Sequence, residues 1–149
     1  MQDRIRGDAT KTTMICVDSY ENGVLKGRYY NYSRKDECHR FESLMQLIVG
    51  MEHILDSAND PQSFTALRSF AGMQRRQMME DTDTNCRNGA TATFVVKVLF
   101  RQNTSWQGSI TWLEAENEQP FRSVLEMLLL MESALNLCST EANSCDESI

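Results

Sequence analysis

Apolar residues recur along this chain at two periods, and the switch between them marks out its elements. Val124, Met127, Leu128, Met131 and Leu135 return every three or four residues, which places them in one stripe along a helix. Leu125, Leu129 and Leu130 widen that stripe, so this helix is expected to be largely buried, with Pro120 at its first helical position. Leu44, Leu47, Ile48, Met51 and Leu55 make an equivalent stripe, closed by the breaker-rich stretch 56–61. Elsewhere the period drops to two. Phe94, Val96, Val98 and Phe100 alternate with Val95, Lys97, Leu99 and Arg101, as on a strand with one strongly apolar face. After a turn over 101–105, Ile110 and Trp112 share a face with Gly108. A glycine inside a strand marks a bulge or the close approach of another element, here a crossing helix. Met14–Tyr20 and Val24–Asn31 read as two further strands, joined at Glu21-Asn22-Gly23. Asn-Gly is a strong short hairpin signal.

The two helical stripes belong to a repeat. Phe41, Ser43, Met51, Glu52 and Leu55 lie over Phe121, Ser123, Met131, Glu132 and Leu135 at a constant offset of eighty, and Gly27 lies over Gly108 at eighty-one. The expected fold is one α+β domain: a tandem ββα pseudo-repeat forming a four- or five-stranded antiparallel sheet with two helices packed on one face. The domain spans 13–138, with halves of about 13–57 and 91–137. Residues 1–12 read as a flexible N-terminal arm, 73–89 as a mobile loop and 139–149 as a flexible acidic tail. Residues 63–71 fit either a strand or a short helix, and nine residues between Pro61 and Gly72 is strand length.

Nothing in the pattern covers the second face of this sheet. That face is expected to carry Cys16, Arg28, Tyr30, Val95, Lys97, Leu99, Arg101, Thr111 and Leu113. An antiparallel sheet can face water. Val95, Leu99, Leu113 and Tyr30 nonetheless make this face more apolar than solvation requires, as at an interface. It is therefore the candidate partner-binding face, for a foreign protein or for a second copy. In a twofold homodimer Lys97 and Arg101 would need acidic partners, and Asp18 is a candidate.

At 149 residues the chain has the size of one domain and can bury a core without staples. No apolar run reaches the roughly 18 to 20 residues of a membrane span. The first dozen residues are polar and lack the apolar segment of a signal peptide, so a cytoplasmic protein is expected. Cys16, Cys38, Cys86, Cys138 and Cys145 include no C-x-x-C pair and read as reduced thiols. Cys38, His39 and His53 are poorly spaced to share a metal. The net charge of −6 is uneven: residues 1–40 carry +2 and residues 41–149 carry −8. Such a balance is ill suited to tracking a phosphate backbone and well suited to a basic protein surface.

No catalytic constellation emerges. His39 sits at a helix start and His53 late in the same helix, and both read as solvated. Glu114, Glu116 and Glu118 form an exposed acidic loop leading into the second helix. A small hydrolase would have to pair Glu114 with His39 across the two halves. No G-x-G-x-x-G or Walker pattern appears, and no cofactor or metal is expected. Arg28, Tyr30, Lys97 and Arg101 on one sheet face are the residues that would hold single-stranded nucleic acid. One aromatic on an acidic chain makes that the weaker reading.

The strings Val17–Val24 (VDSYENGV), Arg101–Gly108 (RQNTSWQG) and Phe121–Glu126 (FRSVLE) carry a resemblance. Over residues 14–137 the chain resembles a family of small uncharacterised proteins of gut-dwelling Gram-positive bacteria, often carried on mobile genetic elements. The family has no established activity and no catalytic residues to transfer. The resemblance implies a compact accessory protein, and small acidic proteins in that setting include inhibitors of host defence such as anti-CRISPR proteins. The resulting expectation is a non-enzymatic, acidic protein-interaction module acting on a basic nucleic-acid-handling nuclease.

Overall fold

Asn22 and Gly23 adopt positive φ values of 54° and 76° and close a tight hairpin, as the Asn-Gly pair predicts. The computed structural model describes residues 10–34, 37–58, 89–101 and 105–144. The hairpin joins β1 (Thr12–Glu21) to β2 (Val24–Asn31), and a 3-10 turn over Tyr32–Arg34 precedes β3 (His39–Phe41) and α1 (Leu44–Ala58). The second half repeats that order as β4 (Ala92–Phe100), β5 (Gln107–Trp112), β6 (Asn117–Phe121) and α2 (Val124–Ser144). Among the described residues the strands form one six-stranded sheet in the order β3-β2-β1-β4-β5-β6, antiparallel throughout. The α+β class holds. The sheet is larger than the four or five strands expected, and three strands precede each helix where two were expected. The extra strands are the short edge strands β3 and β6.

The register explains the core. Ile15 pairs with Phe94 and Tyr29, and Val96 pairs with Thr13 and Ile110, so these side chains share one face. α1 lies over β2 and β3, and α2 over β4, β5 and β6. Leu47, Met51 and Leu55 of α1 and Met127, Met131 and Leu135 of α2 are buried with that face in a single core. The second helix begins at Val124, four residues later than Pro120 would place it. Ser43 Oγ accepts the Gln46 N–H at 3.2 Å, and Ser123 Oγ accepts the Glu126 N–H at 3.1 Å. These serines are the N-caps. Gln46 Oε1 reaches back past the cap to accept the Glu42 N–H at 2.7 Å. Pro120 stands instead in β6, where an edge strand tolerates a residue without an N–H.

Each long strand is interrupted at a matching place. Val17 faces Gly27 and Val98 faces Gly108, and the register then slips by one residue, at Asp18 in β1 and at Leu99 in β4. A Cβ on Gly27 would run into the Cys16 carbonyl oxygen, and one on Gly108 into the Lys97 carbonyl oxygen. The glycines thus accommodate the partner strand's backbone at a bulge, not a crossing helix. α2 runs on to Ser144, past the boundary at 139 where a flexible tail was expected. The arm up to residue 9 and the stretches 63–71 and 73–88 lie outside the described residues. Among the described residues no helix is long and apolar enough to cross a membrane.

Candidate functional site

The sheet face away from the helices is ordered in rows by the register. Arg40, Arg28, Cys16 and Thr93 form one row, and Tyr30, Met14, Val95, Thr111 and Glu118 the next. Thr12, Lys97 and Ser109 form a third. Arg28, Tyr30, Val95 and Lys97 therefore do share this face. They are less available than the sequence suggests. Asp18, in the β1 bulge, accepts two bonds from Arg28, at 3.2 Å from Nε and 3.3 Å from Nη2. It also accepts the Ala90 N–H at 3.2 Å. Thr91 donates from its hydroxyl to the Asp18 carbonyl, and Thr93 Oγ1 accepts the Gly89 N–H. The residues entering β4 are thereby fastened across the bulge, and Cys16 and Thr93 are fully buried.

Burial pushes the Cys16 thiol above its ordinary pKa, and the nearby Arg28 guanidinium only partly opposes the rise. A thiol in that state is protonated at neutral pH and is a poor nucleophile. Tyr30 donates to the Met14 sulfur at 3.0 Å, and its ring stacks on Tyr32 at 6.0 Å. Burial raises both phenols.

The apolar patch expected on this face is divided. Leu113 donates its N–H to the Thr93 carbonyl, whereas Leu99 follows Val98 at the Gly108 end of β4. Six residues of strand separate the two sites, about 20 Å. Arg101 leaves the face altogether. The bulge at Leu99 adds one residue, so the alternation beyond it is reversed and Arg101 turns towards α1. There it is buried, donating to Glu52 Oε1 at 3.0 Å, to Asp56 Oδ1 at 2.7 Å and to the Leu55 carbonyl. Trp106 Nε1 donates to the other Glu52 oxygen at 2.6 Å. This ionic cluster, centred on the buried Arg101, ties the second half to the helix of the first.

The acidic loop is real but not uniform. Glu116 takes a positive φ of 51° in the turn between β5 and β6, Glu118 lies on β6, and both are exposed. Glu114 accepts the Thr93 N–H at 2.9 Å and so anchors the sheet. His39 is not a solvated helix residue. It lies on β3, buried, with its ring stacked on Tyr29 at 5.2 Å. Four strand spacings, about 19 Å, separate β3 from β5, so Glu114 and His39 are not brought together. Among the described residues no group of three His, Cys, Asp or Glu is placed to hold a metal. Cys38 is disulfide-bonded, contrary to the expectation of a reduced thiol there, whereas Cys16 and Cys138 are free, as expected.

One surface escaped the sequence reading. Leu125, Leu129 and Leu137 of α2 are 66%, 54% and 54% exposed, and Met45 of α1 is 76% exposed. Leu125 and Leu129 had been assigned to the buried stripe. Two residues on a helix correspond to about 200°, so 125 and 129 point away from the buried 127 and 131. That angular offset is the signal by which the sequence could have revealed them. Comparison of the chain with protein-family models, curated proteins and solved structures gives no match.

Proposed function

We propose that this chain is a non-enzymatic protein-interaction module, and that the outer side of α2 is its principal binding surface. The observation that carries the reading is the pair of exposed leucines at 125 and 129, one turn apart on one side of the helix. An apolar row on a helix fits a groove in a partner, with anchors at helical spacing. Exposed Glu132 flanks the row, and Glu116 and Glu118 stand on the turn and strand just before α2. These carboxylates suit a partner whose groove is ringed by basic groups. The reading includes the tandem repeat, which the matched strings and the like registers at Gly27 and Gly108 support.

Leu129→Asp tests the surface. Exposed substitutions usually change stability by no more than about 0.5 kcal/mol, so the variant is expected to fold with the parent's thermal midpoint. It is expected to lose partner retention in co-purification from a host carrying defence systems. A partner held equally by the parent, Leu129→Asp and Leu125→Asp would sink the proposal. Self-association is the competing use of the same row. Sedimentation of the parent at high micromolar concentration separates the two, since a homodimer that Leu129→Asp dissolves would assign the row to a second copy.

The sharper form of the reading comes from the family resemblance: an accessory protein that inhibits a host defence nuclease in the cytoplasm. The disulfide at Cys38 is the observation that bears against a cytoplasmic setting, because such bonds persist in oxidising compartments. Oxidised protein, denatured and alkylated without reductant, is expected to leave Cys38 unmodified, and reduction is expected to cost about 2 kcal/mol of stability. Identical denaturation curves with and without reductant would favour the cytoplasmic reading.

A further inference from the structure

The two helices meet the sheet differently. In the first half Tyr29 on β2 stands opposite Ile15 and His39, and its ring stacks on the His39 ring at 5.2 Å. The Tyr29 hydroxyl lies against Gly50 of α1, where a Cβ would collide with it. This stack plugs the flank of α1, and both of its residues are buried. In the second half the like positions are Ile110 and Gln119, paired with each other, and Leu130 stands in the place of Gly50. Neither Ile110 nor Gln119 supplies a ring. A cavity of about 120 Å³ beside Trp112 remains between the β5–β6 edge and α2.

This cavity is a groove open to solvent on one side. Phe94, Ile110 and Ala134 are buried at its floor, whereas Gln119, Ser133 and Leu137 are exposed along its rim. Ser133 and Leu137 continue with Glu132 along the outer side of α2. None of the described residues lining the groove is charged. The charges beside it are acidic: Glu116 precedes Asn117 and Glu132 precedes Ser133, and both are exposed. Residues 107–144 hold six glutamates against one arginine, a net charge of −5. That arginine, Arg122, pairs with Glu126 at 3.6 Å, and it stands about 12 Å along the chain from Leu130.

We propose that this groove seats one branched apolar side chain of a basic protein segment, whose flanking lysines or arginines meet the carboxylates around the rim. A groove open on one side buries an anchor while the segment that carries it stays at the surface, as in peptide recognition. The surrounding negative charge draws a basic segment and repels an acidic one. A second copy fits poorly, because a twofold contact of this surface would set its glutamates against themselves. The inference rests on the reading of α2 as the binding surface and adds the chemistry of the partner.

The probe is a blocked pentapeptide with one leucine between two pairs of lysines, titrated into the full chain and followed in ¹H–¹⁵N spectra. Two companion peptides replace the leucine by alanine, or every lysine by glutamate. The leucine peptide is expected to shift the Gln119 and Ala134 amides saturably and to leave their plugged counterparts, His39 and Gly50, unmoved. The alanine peptide is expected to bind about tenfold more weakly, for want of a buried anchor. The glutamate peptide is expected to move none of these signals. Ala134→Leu fills the groove and is expected to erase the preference for leucine over alanine. Gln119→Arg puts a like charge on the exposed rim, is expected to weaken the leucine peptide, and serves if the first variant does not fold. No saturable shift at about 10 mM leucine peptide would overturn the proposal. So would equal binding of the alanine or glutamate peptide, equal shifts at His39 and Gly50, or binding that both variants leave unchanged. If Leu129→Asp loses a protein partner while no peptide moves Gln119 or Ala134, the outer surface stands and this inference alone falls. If the peptides bind as expected and partner retention ignores Leu129, this inference stands and the outer surface falls.

Discussion

Glu52→Ala is expected to destabilise the fold by about 3 kcal/mol, and Arg101→Met by less. Arg101 is 2% exposed, whereas its partners Glu52 and Asp56 are 19% and 41% exposed. Removing one partner of a buried pair costs about 3–5 kcal/mol because the remaining charge stays buried without its counter-charge. The asymmetry follows from the exposures. Without Arg101, both carboxylates can turn towards water. Without Glu52, the guanidinium cannot and keeps only the more exposed Asp56 as counter-charge, which holds the cost at the lower end of that range, and the Trp106 N–H also loses its acceptor. Joint replacement, Glu52→Ala with Arg101→Met, is therefore expected to cost less than Glu52→Ala alone. Urea unfolding of the three variants measures this, and simple additivity of the two single costs would show that the cluster does not act as a unit.

Gly108→Ala is expected to cost at least about 3 kcal/mol, through overpacking against backbone that cannot yield. Its new methyl group would meet the Lys97 carbonyl oxygen and crowd the Leu99 N–H, and Gly27→Ala meets the equivalent groups of Cys16 and Asp18. Gly23→Ala is the contrast. Nothing lies within 4 Å of a Cβ there, and only its φ of 76° is unfavourable to alanine. About 1 kcal/mol is expected at that position. Equal losses at Gly23 and Gly108, measured by thermal and urea unfolding, would mean that the bulges accommodate a side chain after all.

Periodicity located the two helices and the central strands because it reports burial on one side of a regular element. Leu47, Met51, Met127 and Met131 are buried as their spacing requires, and so are Phe94, Val96 and Val98. The same signal fails where burial is not periodic. His39–Phe41 and Asn117–Phe121 are polar and short, and they are strands only because their backbones pair with the edges of β2 and β5. The candidate binding face was legible for Arg28, Tyr30, Val95 and Lys97, which precede the bulge in β4 or face β1 in simple register. It was not legible for Arg101, since one inserted residue reverses which side every later side chain takes.

The order of apolar and polar residues, by itself, determined that two amphipathic helices and an alternating sheet would share one core, because burying apolar area is a local tendency summed along each element. The Asn-Gly hairpin likewise needed nothing beyond its own backbone preference. Tertiary structure alone decided the six-strand width, the two bulges, the Arg101–Glu52–Asp56 cluster and the cavity beside Trp112. Each of these depends on which distant backbone or side chain arrives opposite a residue, and chain pairing sets that arrival while residue type does not.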